Sequence, residues 1–144
     1  MIVALLTSLA LSNPAIIIAV RGEATIESSD GSAAATRYAK LEAGSTLSTG
    51  PTSRVSLRLP SGSLIRVGPE SVLELEELLQ RSSAADRKET LKLKVGRAWA
   101  QIKALTGSDS SFELKTPQAV AGVRGTAFWV EATPDSWSFV LEEG

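Results

Sequence analysis

Between Arg54 and Leu59 the chain alternates strictly, with Val55, Leu57 and Leu59 apolar and Arg54, Ser56 and Arg58 polar between them. A period of two places one set of side chains on each face of a strand, one buried and one wet. The same alternation returns from Thr90 to Val95, where Leu91, Leu93 and Val95 share a face against Lys92 and Lys94, and Gly96 closes the segment. Ile16–Ile26 is rich in β-branched residues and interrupted by Gly22, which predicts two short strands around a bend or one bulged strand. A polar turn follows over Glu27–Ala33, and Arg37–Leu41 and Trp137–Leu141 read as further strands. Arg97–Leu105 is apolar on both sides near Trp99, which assigns that indole to the core. Val72–Gln80 begins with alternation and drifts toward a helical pattern, while Arg81–Glu89 reads as a polar loop and Gly107–Ser111 as a polar break.

The pattern repeats. Residues 44–59 and 62–77 align at an offset of 18, with Gly44/Gly62, Ser45/Ser63, Gly50/Gly68, Pro51/Pro69, Ser53/Ser71 and Leu57/Leu75 identical. Each copy runs Gly-Ser, short strand, Gly-Pro turn, alternating strand. A unit of about 20 residues built this way cannot bury its apolar face alone and is the size of one coil of a stacked β-structure. The fold class expected is therefore all-β, a solenoid-like stack of short strands with twisted sheets, with a β-sandwich or a barrel-like arrangement as the alternative.

Phe112–Val130 departs from simple alternation. Two strand-like pieces, Phe112–Thr116 and Ala127–Val130, are joined by a linker holding Pro117, Gly122, Gly125 and a lone Arg124. Pro117 fixes its own φ and biases Thr116 toward extended geometry. Val120, Ala121 and Val123 place the linker against a core, so Arg124 reads as a packing lock bonded to backbone carbonyls or a buried acid. On that reading Arg124→Ala lowers stability by a few kcal/mol, roughly the cost of buried groups left unpaired.

Composition narrows the chemistry. The 144 residues, 43% hydrophobic, suffice for one domain with a real core. Fifteen Lys and Arg against sixteen Asp and Glu give a net charge of −1, which supplies no overall field for nucleic acid or anionic lipid. The chain has no Cys and no His, which removes disulfides, thiol catalysis, the Ser-His-Asp triad and imidazole-ligated zinc. Glu74, Glu76 and Glu77, or Asp109 and Glu113, are ordinary acids for a carboxylate pair, and Asp30 in D-G-S lacks the ligand series of a calcium loop. The residues thus predict no catalytic, cofactor or metal site.

Met1–Leu11 is an uncharged apolar run followed by Ser12, Asn13 and Pro14. Residues 1–15 read as a signal peptide or an N-terminal tail, with Ser8-Leu9-Ala10 or the bond after Ala15 as the cleavage site, although no basic residue precedes the run. Residues 16–144 read as the β domain, periplasmic or extracellular and without a membrane span once processed.

The order L-x-x-G-S-x-L-x-T-G, R-V-x-L-x-L-x-x-G-S-x-I-R-V-G-P, L-K-L-x-x-G-R-A-W-A and T-P-x-A-V-A-x-V-R-G-T-x-F resembles the FecR family, from about Ile16 to Gly144. The family takes its name from the ferric citrate regulator of iron-uptake signalling. The resemblance implies an extracytoplasmic module that works by protein–protein interaction, with Thr116, Pro117, Val123, Arg124, Gly125, Thr126 and Phe128 as its motif, structural in role or in contact with a partner. A complete regulator also resembles a cytoplasmic part that holds a sigma factor, a membrane-spanning helix and a C-terminal transporter-binding domain, and fifteen residues before Ile16 do not supply the first two. The family pattern continues into another strand after F-V-L-E-E-G, so the chain reads as a stand-alone exported module or as a fragment. The partner expected is another envelope protein, or a second copy through an open strand edge. The alternative is a structural or polysaccharide-associated envelope protein using a Ser/Thr face of Ser45, Thr46, Ser48, Thr49, Thr52 and Ser53.

Overall fold

The computed structural model describes residues 11–80, 87–103, 111–123 and 126–142, and all regular structure among them is β. The strands are β1 (Leu11–Ser12), β2 (Ala15–Arg21), β3 (Ala24–Ser28), β4 (Gly31–Ala34), β5 (Lys40–Leu41), β6 (Thr46–Thr49) and β7 (Arg54–Arg58). They continue as β8 (Leu64–Val67), β9 (Val72–Gln80), β10 (Arg87–Gln101), β11 (Ser111–Lys115), β12 (Val120–Val123), β13 (Ala127–Ala132) and β14 (Trp137–Glu142). Among the described residues no helix is long and apolar enough to cross a membrane. The apolar run over residues 1–10 lies outside the described residues.

Two sheets share one strand. Sheet I runs β4-β3-β6-β9-β10-β11-β12, with β1 paired to the end of β9. Sheet II runs β5-β2-β7-β8-β10-β13-β14. Neighbours are antiparallel except β10 and β11, which run parallel. The long β10 serves both: Arg87–Val95 pairs with β9 in sheet I, and Ala98–Gln101 pairs with β8 in sheet II.

The 18-residue repeat is one bent arm. Copy one passes from sheet I to sheet II as β6 and β7, and copy two passes back as β8 and β9. The copies pair antiparallel, β6 with β9 and β7 with β8, each lending a rung to both sheets, so the expected all-β class holds and the curled sheets fit the barrel-like alternative. The corner positions explain the identities. Gly50 N–H donates to Glu23 O at 3.0 Å, Glu70 N–H to Gly50 O at 3.0 Å and Gly68 N–H to Arg97 O at 2.8 Å, so adjacent corners are laced by backbone. Thr49 Oγ1 donates to Gly68 O at 2.6 Å and accepts from Ser71 N–H at 2.9 Å.

Two glycines make the close approach possible. Gly22 and Gly96 have φ of +74° and +107°, and a Cβ on either would overlap Ser53 or Ser71 respectively, the same repeat position in the two copies. Gly96 therefore does not end its strand, as the alternation suggests; it turns β10 from one sheet into the other. Ser71 Oγ accepts from Arg97 N–H at 3.0 Å directly after that turn.

The inner faces of both sheets enclose one core. Ile26, Leu47, Leu73, Leu75, Leu91, Leu93, Phe112 and Leu114 come from sheet I, and Ile17, Val55, Leu57, Ile65, Val67, Phe128 and Val130 from sheet II. Val72–Gln80 is a strand throughout. Register skips Glu76 between Leu75 and Glu77, so the inward residues Leu75 and Leu78 are three apart instead of two. A bulge, and not a helical turn, produces the drift in the pattern. The expected loop over Arg81–Glu89 also shortens, since Arg87–Glu89 already belongs to β10. Glu89 points inward, 2% exposed, because its place in the strand is opposite Leu78 and Phe112. It accepts from Ser61 Oγ at 2.6 Å and Ser61 N–H at 3.1 Å, which pins the β7–β8 turn to sheet I.

Candidate interaction surface

The late motif folds as a hairpin that finishes sheet I. β11 and β12 pair antiparallel from Phe112 opposite Val123 to Lys115 opposite Val120. Thr116 closes the hairpin: its N–H donates to Ala119 O at 2.8 Å and its Oγ1 accepts from Ala119 N–H at 3.1 Å, with Pro117 and Gln118 at the tip. Pro117 suits that tip because a turn needs no N–H there. Gln118 Nε2 reaches Pro134 O at 3.0 Å, tying the tip to the β13–β14 turn of sheet II. The chain then crosses to sheet II, where Thr126 O accepts from Ile102 N–H at 2.8 Å and Phe128 is buried 6.0 Å from the Phe139 ring. Arg124 and Gly125, and with them the proposed Arg lock, lie outside the described residues. Thr116 and Phe128 are buried in different sheets and Val123 packs at the core margin, so these residues do not converge on one surface cluster.

The outer face of sheet II carries the aromatic and cationic groups. Ala98 and Ala100 occupy the inward positions, and the alternation sends Trp99 outward, half-buried, instead of into the core as its flanks suggest. Register aligns Arg66, Trp99, Trp129 and Val140 in one row across β8, β10, β13 and β14. The Arg66 guanidinium lies 4.7 Å from the centre of the Trp99 ring, a cation–π contact. Both indole N–H groups donate to Glu142, Trp99 at 3.1 Å and Trp129 at 2.5 Å. Arg97 pairs with Glu131 at 2.9 Å. Trp129 is 41% and Val140 57% exposed. Two depressions of about 240 Å³ flank Trp129, one between it and Val140, the other over Gly68 and ringed by Arg54, Arg66 and Arg97.

Sheet I presents a different outer face. Lys88, Lys94 and Lys115 pair with Glu77, Glu74 and Glu76 at 3.4, 3.3 and 2.9 Å. The Glu76 hydrogen bond and charge raise the Lys115 ammonium above its ordinary 10.5. Glu74, Glu76 and Glu77 thus serve as ion-pair partners, and Asp109, the candidate partner of Glu113, lies outside the described residues. The predicted Ser/Thr face is largely absent as a surface: Ser45, Thr49 and Ser53 are buried, and Thr46 and Ser48 are half-buried. Thr49 is consumed by the corner hydrogen bonds and Ser53 by its packing on Gly22, needs that an alternation pattern does not display.

A signal for the sheet II face was present. Arg54, Arg58, Arg66 and Arg97 each occupy the polar phase of an alternating segment, and Trp129 and Glu131 alternate with Phe128 and Val130. Their proximity depends on strand order, which periodicity does not contain.

Bent arms stacked about glycine corners, with one face of paired charges and one of Arg and Trp, define a two-sheet all-β module. The chain belongs to the FecR family, whose model, described as FecR protein, matches residues 45–144. Strands β2–β5 precede that match and stack on it through β2–β7 and β3–β6. Two crystal structures of a "putative anti-sigma factor" from Parabacteroides distasonis ATCC 8503 are similar in fold, with TM-scores of 0.56 and 0.53 and identities of 18% and 19%. Each comparison covers 69% of this chain and 44% of the other, so this chain spans less than half the length of those two proteins. No curated protein matches the chain.

Proposed function

We propose that this chain is a non-catalytic, extracytoplasmic binding and sensory module of the cell envelope that works in cell-surface signalling by contacting another protein. The observation that carries the reading is the FecR family match over residues 45–144. The fold supports it physically. Repeat residues such as Thr49 and Ser71 are used in corners and the lysines of sheet I in ion pairs, while the outer face of sheet II keeps an exposed indole beside several guanidiniums, a composition enriched at protein interfaces. The polysaccharide reading rested on a Ser/Thr face of which Ser45, Thr49 and Ser53 are buried, leaving Thr52 exposed beside the surface indoles Trp129 and Trp137.

The test is site-specific photo-crosslinking in the native cell, with the probe placed in turn on outward positions of each sheet, combined with protease treatment of intact cells or spheroplasts. The module should be degraded from outside the cytoplasmic membrane and yield a discrete protein adduct. Recovery of a protected cytoplasmic form, or no adduct from either sheet, overturns the reading.

A further inference from the structure

The charge on this molecule is unevenly placed. Arg21, Arg54, Arg58, Arg66 and Arg97 occupy outward positions of sheet II on four adjacent strands, β2, β7, β8 and β10. Arg21 stands opposite Arg54, and Arg97 follows on the far side of Gly68, which lines a depression bordered by Arg54, Arg66 and Arg97. Among the described residues, the acids on the strands of this face are engaged: Glu131 holds Arg97, and Glu142 accepts both indole N–H groups. None of Arg21, Arg54, Arg58 and Arg66 forms an ion pair among the described residues. On sheet I, Lys88, Lys94 and Lys115 are each paired with a glutamate, and the whole chain carries a net charge of only −1, so the cluster of unpaired guanidiniums is a feature of the sheet II face.

Guanidinium groups with unfilled donors match carboxylates in paired geometry. Beside them, Trp129 and Val140 offer an apolar surface. Both indole N–H donors, which a sugar hydroxyl would use as its polar handle, are spent on Glu142, and the residue directly opposite Trp129 on β14 is the aliphatic Val140. We propose that the outer face of sheet II docks an acidic segment of a partner protein. Its carboxylates pair with Arg54 and the neighbouring guanidiniums over Gly68, and an apolar side chain packs on Trp129 and Val140. The inference rests on the reading of the chain as a protein-binding module. Sheet I of a second copy is a poor occupant, because Glu74, Glu76 and Glu77 there are already held by lysines.

The direct test measures binding of the purified chain to a labelled peptide rich in Glu with interspersed Leu and Phe, beside its Gln counterpart, polygalacturonate, and vesicles containing phosphatidylglycerol. The acidic peptide should bind more tightly than its Gln counterpart by roughly tenfold or more, the scale of a charge-assisted hydrogen bond, and its affinity should fall as salt rises. The pair Arg21→Glu and Arg54→Glu should weaken it by a similar factor, while Lys92→Glu on sheet I leaves it unchanged. Melting curves establish that each variant is folded, and Arg54→Gln replaces the reversal if that one melts early. Equal affinity for the Gln peptide, indifference to both Arg54 variants, tighter binding to polygalacturonate or to vesicles, or a dimer that excludes the peptide would each overturn the proposal. In cells, an adduct that persists in the Arg21→Glu, Arg54→Glu protein refutes this surface and leaves the binding-module reading standing. Loss of every adduct from the wild-type chain refutes the module reading itself.

Discussion

At the scale of single residues, Glu89 is the clearest departure from what its neighbourhood in the sequence suggests. It follows a polar span and reads as loop, yet it is a buried acid facing the core with two hydrogen bonds from Ser61. Burial raises its carboxyl above the ordinary 4.5, and the Ser61 hydrogen bonds and the Arg87 charge offset that only in part. A carboxyl raised in the folded state supports folding in its protonated form. Its contribution is fully present below about 4.5 and is lost as pH rises through the folded value. Gln in its place can accept from Ser61 N–H, donate to Ser61 Oγ and never ionise. The melting temperature of Glu89→Gln should therefore gain on that of the wild type as pH is raised from 4 to 8, with most of the gain above 4.5. A constant gap between the two proteins across that range would remove the argument.

At the scale of elements, the strands were legible and the joints were not. Alternation located β7, β8, the first half of β9 and most of β10, and the identities between the two copies correctly marked one structural unit used twice. What alternation hides is that a residue can break the period without ending the strand. Glu76 bulges and β9 continues; Gly96 turns and β10 continues. Both are settled by a neighbouring strand, which lies outside any local window. For Gly96 the neighbour is Ser71, so a side chain there meets an unfavourable φ and an overlap together. Gly96→Ala should cost roughly 2–4 kcal/mol, combining a left-handed backbone penalty with the strain of overpacking. Ser71→Ala should cost about 1–3 kcal/mol, because Arg97 N–H loses its acceptor in a part-buried corner. Denaturant unfolding of the two variants checks both, and near-wild-type midpoints would mean that the corner is not held as described. The interaction face was hidden for a related reason: each Arg was visible in its own segment, but the cluster exists only through the order β2-β7-β8-β10.

At the scale of the whole molecule, the early strands bear on where a signal peptide could be cut if the chain carries one. Leu11 and Ser12 pair with Gln80 and Leu79, extending sheet I past the reach of β6. Ala15 is fully buried and opposes Leu41, whose side chain is also fully buried. A cut after Ala15 would remove β1 and the first residue of β2, uncovering Leu41 and the outer end of β9. A cut after Ser8-Leu9-Ala10 would leave every described strand intact. Ser8 and Ala10 put small residues at both expected places before the first bond, whereas the second has Ala15 at one and Asn13 at the other, so local sequence already favours the first. Packing favours the same bond, because a chain processed at its N-terminus must bury Leu41 with whatever residues remain. If the N-terminal segment is a cleaved signal peptide, intact-mass measurement of the exported protein should place the mature terminus at Leu11. A terminus at Ile16 with an unchanged melting temperature would show that β1 and Ala15 contribute nothing to the fold. A truncation starting at Ile16, made without a leader and refolded in vitro, separates processing from stability: it should melt below a chain starting at Leu11, since the buried contact of Ala15 with its strand partner is lost.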